Sequence, residues 1–183
     1  MKVLVVVDMQ NDFITGSLGT HEAQAIVPNV KKKIDEAVKN GDFIVFTRDT
    51  HLGDYLDSKE GKKLPVEHCI YKTDGWRIRD ELLPPFTYEN AHIVNKYTFG
   101  DYELPDKIRS ILWDNSIWND CAEIELVGLC TDICVVSNAL LLKSAFSDDF
   151  DISVDATCCA GVTPESHEAA LKTMEMCQIN VKR

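Results

Sequence analysis

The chain has 183 residues, a net charge of −11, a pI of about 4.8 and 45% hydrophobic residues. That length and apolar share suit a single domain over residues 1–183 with a sizeable core. The acidic balance excludes a nucleic-acid or anionic-membrane partner, because those contacts need clustered Lys and Arg. The one basic run, Lys31-Lys32-Lys33, is followed by Asp35 and Glu36 and reads as a solvated helix face.

In chain order, the apolar run Val3–Val7 predicts a first strand; it meets Asp8 too soon to be a signal-peptide core. An amphipathic helix over Ala23–Asn40 ends at Gly41, and Phe43–Thr47 (FIVFT) predicts a second strand. Thr50–Leu83 has little periodicity and holds His51, His68 and Trp76; a loop of that length in a compact domain is usually functional or disordered. Ala91–Asn95 predicts the third strand, Pro105–Asp114 a helix and Glu123–Gly128 the fourth strand. A helix over Thr131–Ser144, a fifth strand Phe150–Asp155, a helix Pro164–Met176 with Thr163 as N-cap, and a short strand Ile179–Val181 complete the pattern. Strands alternating with helices predict a three-layer α/β fold, with a mostly parallel sheet of about six strands flanked by helices. No segment approaches a membrane span. Seven cysteines without paired spacing and without an export signal read as reduced thiols of a cytoplasmic protein.

In open α/β sheets, ligands bind at the carboxyl ends of the strands. The polar residues placed there are Asp8 after the first strand, Asp49 and His51 after the second, and Lys96 after the third. The fourth strand leads through VGLCTDICVV to Cys134, in the first turn of a helix. A cysteine there feels the positive end of the helix dipole, which lowers its pKa and favours thiolate. Free N–H groups of the same turn can hold a developing oxyanion. Asp8 could take the thiol proton, and Lys96 could hold both charges in balance. Asp49 and His51 alternate on an extended segment, so both reach the same side. They are metal-ligand types, and Asp54, Asp57, Glu60, His68 and Cys69 in the following loop are candidates to complete a set.

DMQNDF near the N-terminus, a Lys after the third strand, GLCTDICV, and the closing DATCCAGVTPESHEAAL resemble, in that order, the isochorismatase-like cysteine hydrolases. The resemblance covers nearly the whole chain and implies a Rossmann-like version of the α/β fold above. It implies a triad of Asp8, Lys96 and Cys134, and a non-proline cis peptide at Leu129–Cys130. The backbone N–H groups of Cys130 and Cys134 would then form the oxyanion hole. DTH followed by a loop and EHC is similar to the metal site of the nicotinamidase branch. There the implied ligands are Asp49, His51, Glu60 and His68, which suit Zn²⁺, with Fe²⁺ or Mn²⁺ as alternatives. That branch binds the pyridine nitrogen at the metal. The reaction implied is hydrolysis of nicotinamide to nicotinate and ammonia through a thioester. Phe13 matches a pocket-wall position, and Trp76, Tyr97 and Phe99 are further pocket candidates. The family's Ser-Ala-Phe-like segment after the Lys is replaced here by Tyr97-Thr98-Phe99-Gly100-Asp101. A relative acting on a carbamoyl or ureido amide without the metal, or a silent binding protein on the same fold, are the alternatives. The family resemblance also implies a small-molecule amide substrate and a homo-oligomer.

Other reactive side chains carry plainer readings. Cys121, Cys158, Cys159 and Cys177 read as small buried hydrophobes, and Cys130 as a backbone donor. His21, His92 and His167 have no partner motif and read as structural, and Ala139–Leu142 reads as core packing.

Overall fold

A computed structural model describes residues Met1–Arg183. The elements run β1 (Lys2–Val7), α1 (Asn11–Ile14), α2 (His21–Asn40), β2 (Phe43–Asp49), β3 (Ala91–Lys96), α3 (Leu104–Asp114), β4 (Glu123–Leu129), α4 (Val136–Ala145), β5 (Asp151–Ala160), α5 (Pro164–Met176) and β6 (Asn180–Lys182). All strands pair in parallel, in the order β3-β2-β1-β4-β5-β6. This is the doubly wound order, and its strand order reverses between β1 and β4.

Helices cover both faces, which is why the inner strands read as unbroken apolar runs. Alternation along β1 shows the two layers. Val3, Val5 and Val7 pack with Leu104, Ile108, Ala139, Leu142, Leu171 and Met174 from α3, α4 and α5. Leu4 and Val6 pack with Ala23, Ile26, Val30, Ile34 and Ala37 along one face of α2. Thr20 caps the start of α2, and Gly41 ends it in the left-handed conformation at φ 74°. Thr163 caps α5 with Pro164 in its first turn, as the sequence predicts.

Three differences from the sequence reading bear on the site. β5 continues to Ala160 instead of stopping at Asp155. Its register against β4 shifts between Leu126 and Gly128, a bulge that period-2 reasoning does not see. Gly128 makes the shift fit: its φ is 117°, and a Cβ there would lie 2.2 Å from the Val7 carbonyl oxygen. The predicted helix Thr131–Ser144 divides into one π turn, Thr131–Val135, followed by α4. Cys177 is exposed, correcting its reading as a core cysteine; it follows the last turn of α5, beyond the apolar face. Cys121, Cys158 and Cys159 are buried as expected, and all seven cysteines are free. No helix is long and apolar enough to cross a membrane.

The end of the sheet away from the strand carboxyl termini carries a buried acid. Glu125, fully buried in β4, pairs with Lys2, with Lys33 at 3.2 Å and with Lys182 at 2.9 Å. Burial alone would raise its pKa, but the hydrogen bonds and charges of these lysines hold it below its ordinary value of 4.5. A depressed carboxyl contributes stability above its unfolded pKa and loses it as pH falls through the folded one. Glu125→Gln is therefore expected to cost about 1.5–3 kcal/mol at pH 7. Urea denaturation at pH 7 and pH 3.5 checks this: the gap between variant and wild type should narrow at the lower pH.

Candidate active site

Near the reversal point the ends of β2 and β4 reach a cavity of about 480 Å³, lined by Asp49, Glu60, His68, Cys130 and Cys134 among others, and Lys96 at the end of β3 and Asp8 after β1 lie behind that wall. Lys96 occupies the last position of β3 and is fully buried. Its Nζ lies 2.7 Å from Asp8 Oδ2, 3.1 Å from Asp49 Oδ1 and 3.5 Å from Cys134 Sγ, and donates to the Thr98 carbonyl at 3.2 Å. The predicted Asp, Lys and Cys thus meet around one ammonium group. Asp8 sits in the left-handed region at φ 48°, an unusual conformation for a residue other than glycine. Thr47 Oγ1 donates to its Oδ1 at 2.7 Å, while Oδ2 faces Lys96 but receives no aligned hydrogen bond.

Electrostatics around the cluster correct one expectation. Burial pushes the Cys134 thiol well above its ordinary pKa; Lys96 opposes this, and Asp8 and Asp49 add to it. The dipole of a five-residue turn does not outweigh full desolvation beside two carboxylates. The resting form is therefore a thiol, not the thiolate the helix start suggests. Burial and Asp49 also raise Asp8 against the pull of Lys96. Burial alone would lower Lys96, but Asp8, Cys134 and Asp49 hold it well above its usual range, as an ammonium.

The turn that carries Cys134 is fastened on several sides. The Leu129–Cys130 peptide is cis, at the position the resemblance implies. Asn138 Nδ2 donates to the Cys134 carbonyl at 2.8 Å, and its Oδ1 accepts from the Asp101 N–H at 2.9 Å. Asp132 accepts from the Val162 N–H at 3.0 Å and from the Ser166 hydroxyl. His167 keeps a structural contact, 2.8 Å from Thr131 Oγ1.

The second cluster opens on the same cavity. Ligand-type atoms of Asp49, His51 and His68 lie within 4.8 Å of one another. His51 Nε2 is 3.0 Å from Asp49 Oδ2 and 3.6 Å from Glu60 Oε1; His68 Nε2 is 3.8 Å from each of these carboxylates. In a tetrahedral site with bonds of about 2.1 Å, neighbouring donor atoms lie about 3.4 Å apart, so Asp49, His51 and His68 suit one divalent ion, and Glu60, facing both histidines, is the further ligand candidate. Two observations favour a cation over a hydrogen-bonded cluster. His51 Nε2 is buried between two carboxylates, those of Asp49 and Glu60. His68 Nδ1 contacts the Val66 carbonyl at 2.8 Å, which fixes the tautomer whose lone pair is on Nε2 and aimed inward. Asp49 joins the two clusters, with Oδ1 on Lys96 and Oδ2 on His51.

Phe13 and Phe99 line the cavity, as expected; Trp76 and Tyr97 do not. Trp76 Nε1 donates to Thr50 Oγ1 at 2.9 Å and its ring lies 3.5 Å below the Arg48 guanidinium, so it braces the end of β2 from behind. Tyr97 follows the inward Lys96 and is turned to solvent by strand alternation. The sequence reading did not single out the apolar wall residues Leu18, Leu64, Ile133 and Val162. It also missed Gln10, whose side chain makes two hydrogen bonds to the backbone of Asp49, at 2.7 and 2.9 Å. Asp12, which accepts from the Cys69 N–H at 2.8 Å next to His68, was missed as well. Both lie in DMQNDF, and only their place in that motif could have pointed to them.

The crystal structure of nicotinamidase/pyrazinamidase PncA from Bacillus subtilis is similar over the full length of both chains, at 28% identity and a TM-score of 0.82. That of the pyrazinamidase of Pyrococcus horikoshii in complex with zinc has 29% identity and a TM-score of 0.78, covering 100% of this chain and 98% of the other. That of N-carbamoylsarcosine amidase from Thermoplasma acidophilum has 28% identity and a TM-score of 0.76, covering 100% and 96%. The family model described as Isochorismatase domain matches residues 2–182, and the chain belongs to the isochorismatase family.

Proposed function

We propose that this protein is a metal-assisted cysteine amidase that hydrolyses nicotinamide to nicotinate and ammonia. The observation that carries the reading is that one cavity is lined by Cys134, backed by Lys96 and Asp8, and by Asp49, Glu60 and His68, backed by His51. Relatives named for nicotinamide or pyrazinamide hydrolysis support it. Asp49, His51, Glu60 and His68 would hold the ion, zinc first among candidates, with Fe²⁺ or Mn²⁺ as alternatives. When bound, the ion supplies a Lewis-acid anchor for a pyridine nitrogen.

The protein's own groups do the rest. Asp8 accepts the Cys134 proton as the sulfur attacks the carboxamide carbon. The N–H groups of Cys130 and Cys134 hold the oxyanion. Asp8 returns the proton to the departing ammonia, leaving a thioester, and then draws a proton from the water that releases the acid. Lys96, held as an ammonium, balances the charge that passes between sulfur and Asp8. Phe13 and Phe99 offer flat apolar walls to an aromatic ring. We place the enzyme in the cytoplasm as a homo-oligomer, which fractionation and light scattering would test.

Ammonia release from nicotinamide by purified protein, before and after chelation and metal return, tests the proposal. Chelator-sensitive release supports it. Turnover of N-carbamoylsarcosine but not nicotinamide, untouched by chelation, would favour the second reading suggested by the carbamoyl amidase neighbour.

Metal retention should depend on pH in a defined direction. Burial lowers the His51 pKa, but the hydrogen bond and charge of Asp49, with Glu60, raise it overall. A ligand imidazole must shed its proton to bind metal. Metal content measured by mass spectrometry after dialysis is expected to fall as pH drops from 8 to 5. In His51→Ala it should be low across the whole range.

A further inference from the structure

We propose that Lys59 and Lys63 form an anion subsite at the cavity, so that the enzyme favours aromatic amides bearing a carboxylate remote from the scissile group. This rests on the amide-hydrolase reading above and names a substrate class within it.

The loop that brings Glu60 toward His51 and His68 also sets these lysines on the cavity wall. Its backbone is a packed turn: Lys62 N–H donates to the Ser58 carbonyl, and Lys63 and Leu64 N–H donate to that of Glu60. The Tyr55 hydroxyl donates to the Leu64 carbonyl at 3.0 Å. A Cβ at Gly61 would lie 2.1 Å from the Tyr55 carbonyl oxygen, so the turn seats directly on Tyr55. Neither lysine makes an ion pair with any carboxylate, although the chain carries 30 acidic residues against 19 Lys and Arg. Lys39, Lys62, Lys72, Lys143 and Lys172 also lack a carboxylate partner, but of the unpaired lysines only Lys59 and Lys63 line the cavity. Asp49 and Glu60 share the cavity, but their charge would be taken up by a bound ion, which leaves Lys59 and Lys63 as the cations open to an anionic substrate group.

The volume agrees. About 480 Å³ lies within the range that takes drug-sized ligands, and a single pyridine ring with its carboxamide leaves much of it unfilled. The remaining wall is mainly apolar, with Leu18, Leu64, Ile133 and Val162, and the lysines are its charged groups apart from the two reactive clusters. A ring system held among these residues, carrying an anionic group toward Lys59 and Lys63, uses both the space and the charge.

The test compares nicotinamide with 5-carboxynicotinamide on the metal-loaded enzyme. The readout is the ratio of kcat/KM for the charged amide to that for the neutral one. Binding of both compounds to Cys134→Ala by calorimetry provides the same ratio without chemistry. In Lys59→Ala/Lys63→Ala the kcat/KM ratio should fall tenfold or more, and the affinity ratio should fall likewise when these changes are added to Cys134→Ala. Lys59→Arg/Lys63→Arg should restore both, and raising salt from 50 to 500 mM should reduce them in the wild type. Ratios that stay within twofold across these variants overturn the subsite. Failure of the wild type to turn over either amide instead counts against the nicotinamidase reading, and the affinity ratio still decides the subsite.

Discussion

Cys134→Ala is expected to lower kcat for nicotinamide by about 10⁴-fold or more while leaving the metal bound and the fold intact. The size follows from the site having a single sulfur placed for attack, 3.5 Å from Lys96 and beside the Asp8 carboxyl. Cys130 lines the same cavity, but burial pushes its thiol up to about 12, and it begins the nucleophile turn without an ammonium at hydrogen-bonding distance. The fold should survive because the Cys134 side chain packs as a small apolar group in the layer with Val7, Ala139 and Leu142. Its loss should cost about 1 kcal/mol, a few degrees in Tm. Single-turnover ammonia release, zinc content and a thermal melt on one preparation separate these effects. Residual turnover within tenfold of wild type would remove Cys134 from the chemistry. The raised thiol pKa adds a second signature: alkylation of Cys134 by iodoacetamide, followed by peptide mass spectrometry to separate it from the exposed Cys177, should accelerate with pH through 7 and 9 without a plateau. A thiolate already formed at neutral pH would plateau early.

The strand and helix pattern was legible because each inner strand is buried on both faces and each helix on one. Val3–Val7 and Phe43–Thr47 could be read as strands without knowing their neighbours. The ends of elements were less legible where tertiary contacts decide them. The last residues of β5 pair only because Gly128 lets β4 and β1 approach, a condition set by residues distant in the sequence.

At the site, residue types on strand ends pointed to Asp8, Asp49, His51, Lys96 and Cys134, because the parallel sheet brings those ends together. Glu60 and His68 stood among five loop candidates by residue type, and only the family resemblance singled them out, since a loop without periodicity does not tell which side chains turn inward. The pocket aromatics divided for a physical reason. Phe13 stands 5.6 Å from His68 inside the cavity, while Trp76 is drawn away by Thr50 and Arg48. The sign of the Cys134 shift was illegible because dipole and desolvation compete, and only the three-dimensional burial decides between them.

Lys96→Met should be the most destabilising single change at the site, and its penalty should grow with pH. The methionine fills similar volume but leaves Asp8 and Asp49 buried without their shared cation, 2.7 and 3.1 Å from where the ammonium stood. Removing one partner of a buried ion pair costs about 3–5 kcal/mol, because the remaining charge is uncompensated. Lys96 is also what holds Asp8 down, so without it burial and Asp49 raise Asp8 further. A carboxyl whose folded pKa lies above its unfolded one contributes stability at low pH and loses it as pH rises through the folded value. The variant's deficit against wild type should therefore be smaller at pH 5, where Asp8 takes up a proton, than at pH 8, where it resists ionising. Urea midpoints at the two values, with metal supplied equally, measure this. A deficit that is flat or larger at pH 5 would mean that Lys96 does not balance Asp8, and the charge accounting of the triad would fail with it. Activity should be lost at both values, because a protonated Asp8 has no vacancy for the Cys134 proton and an ionised one has no ammonium beside it to hold the pair in register.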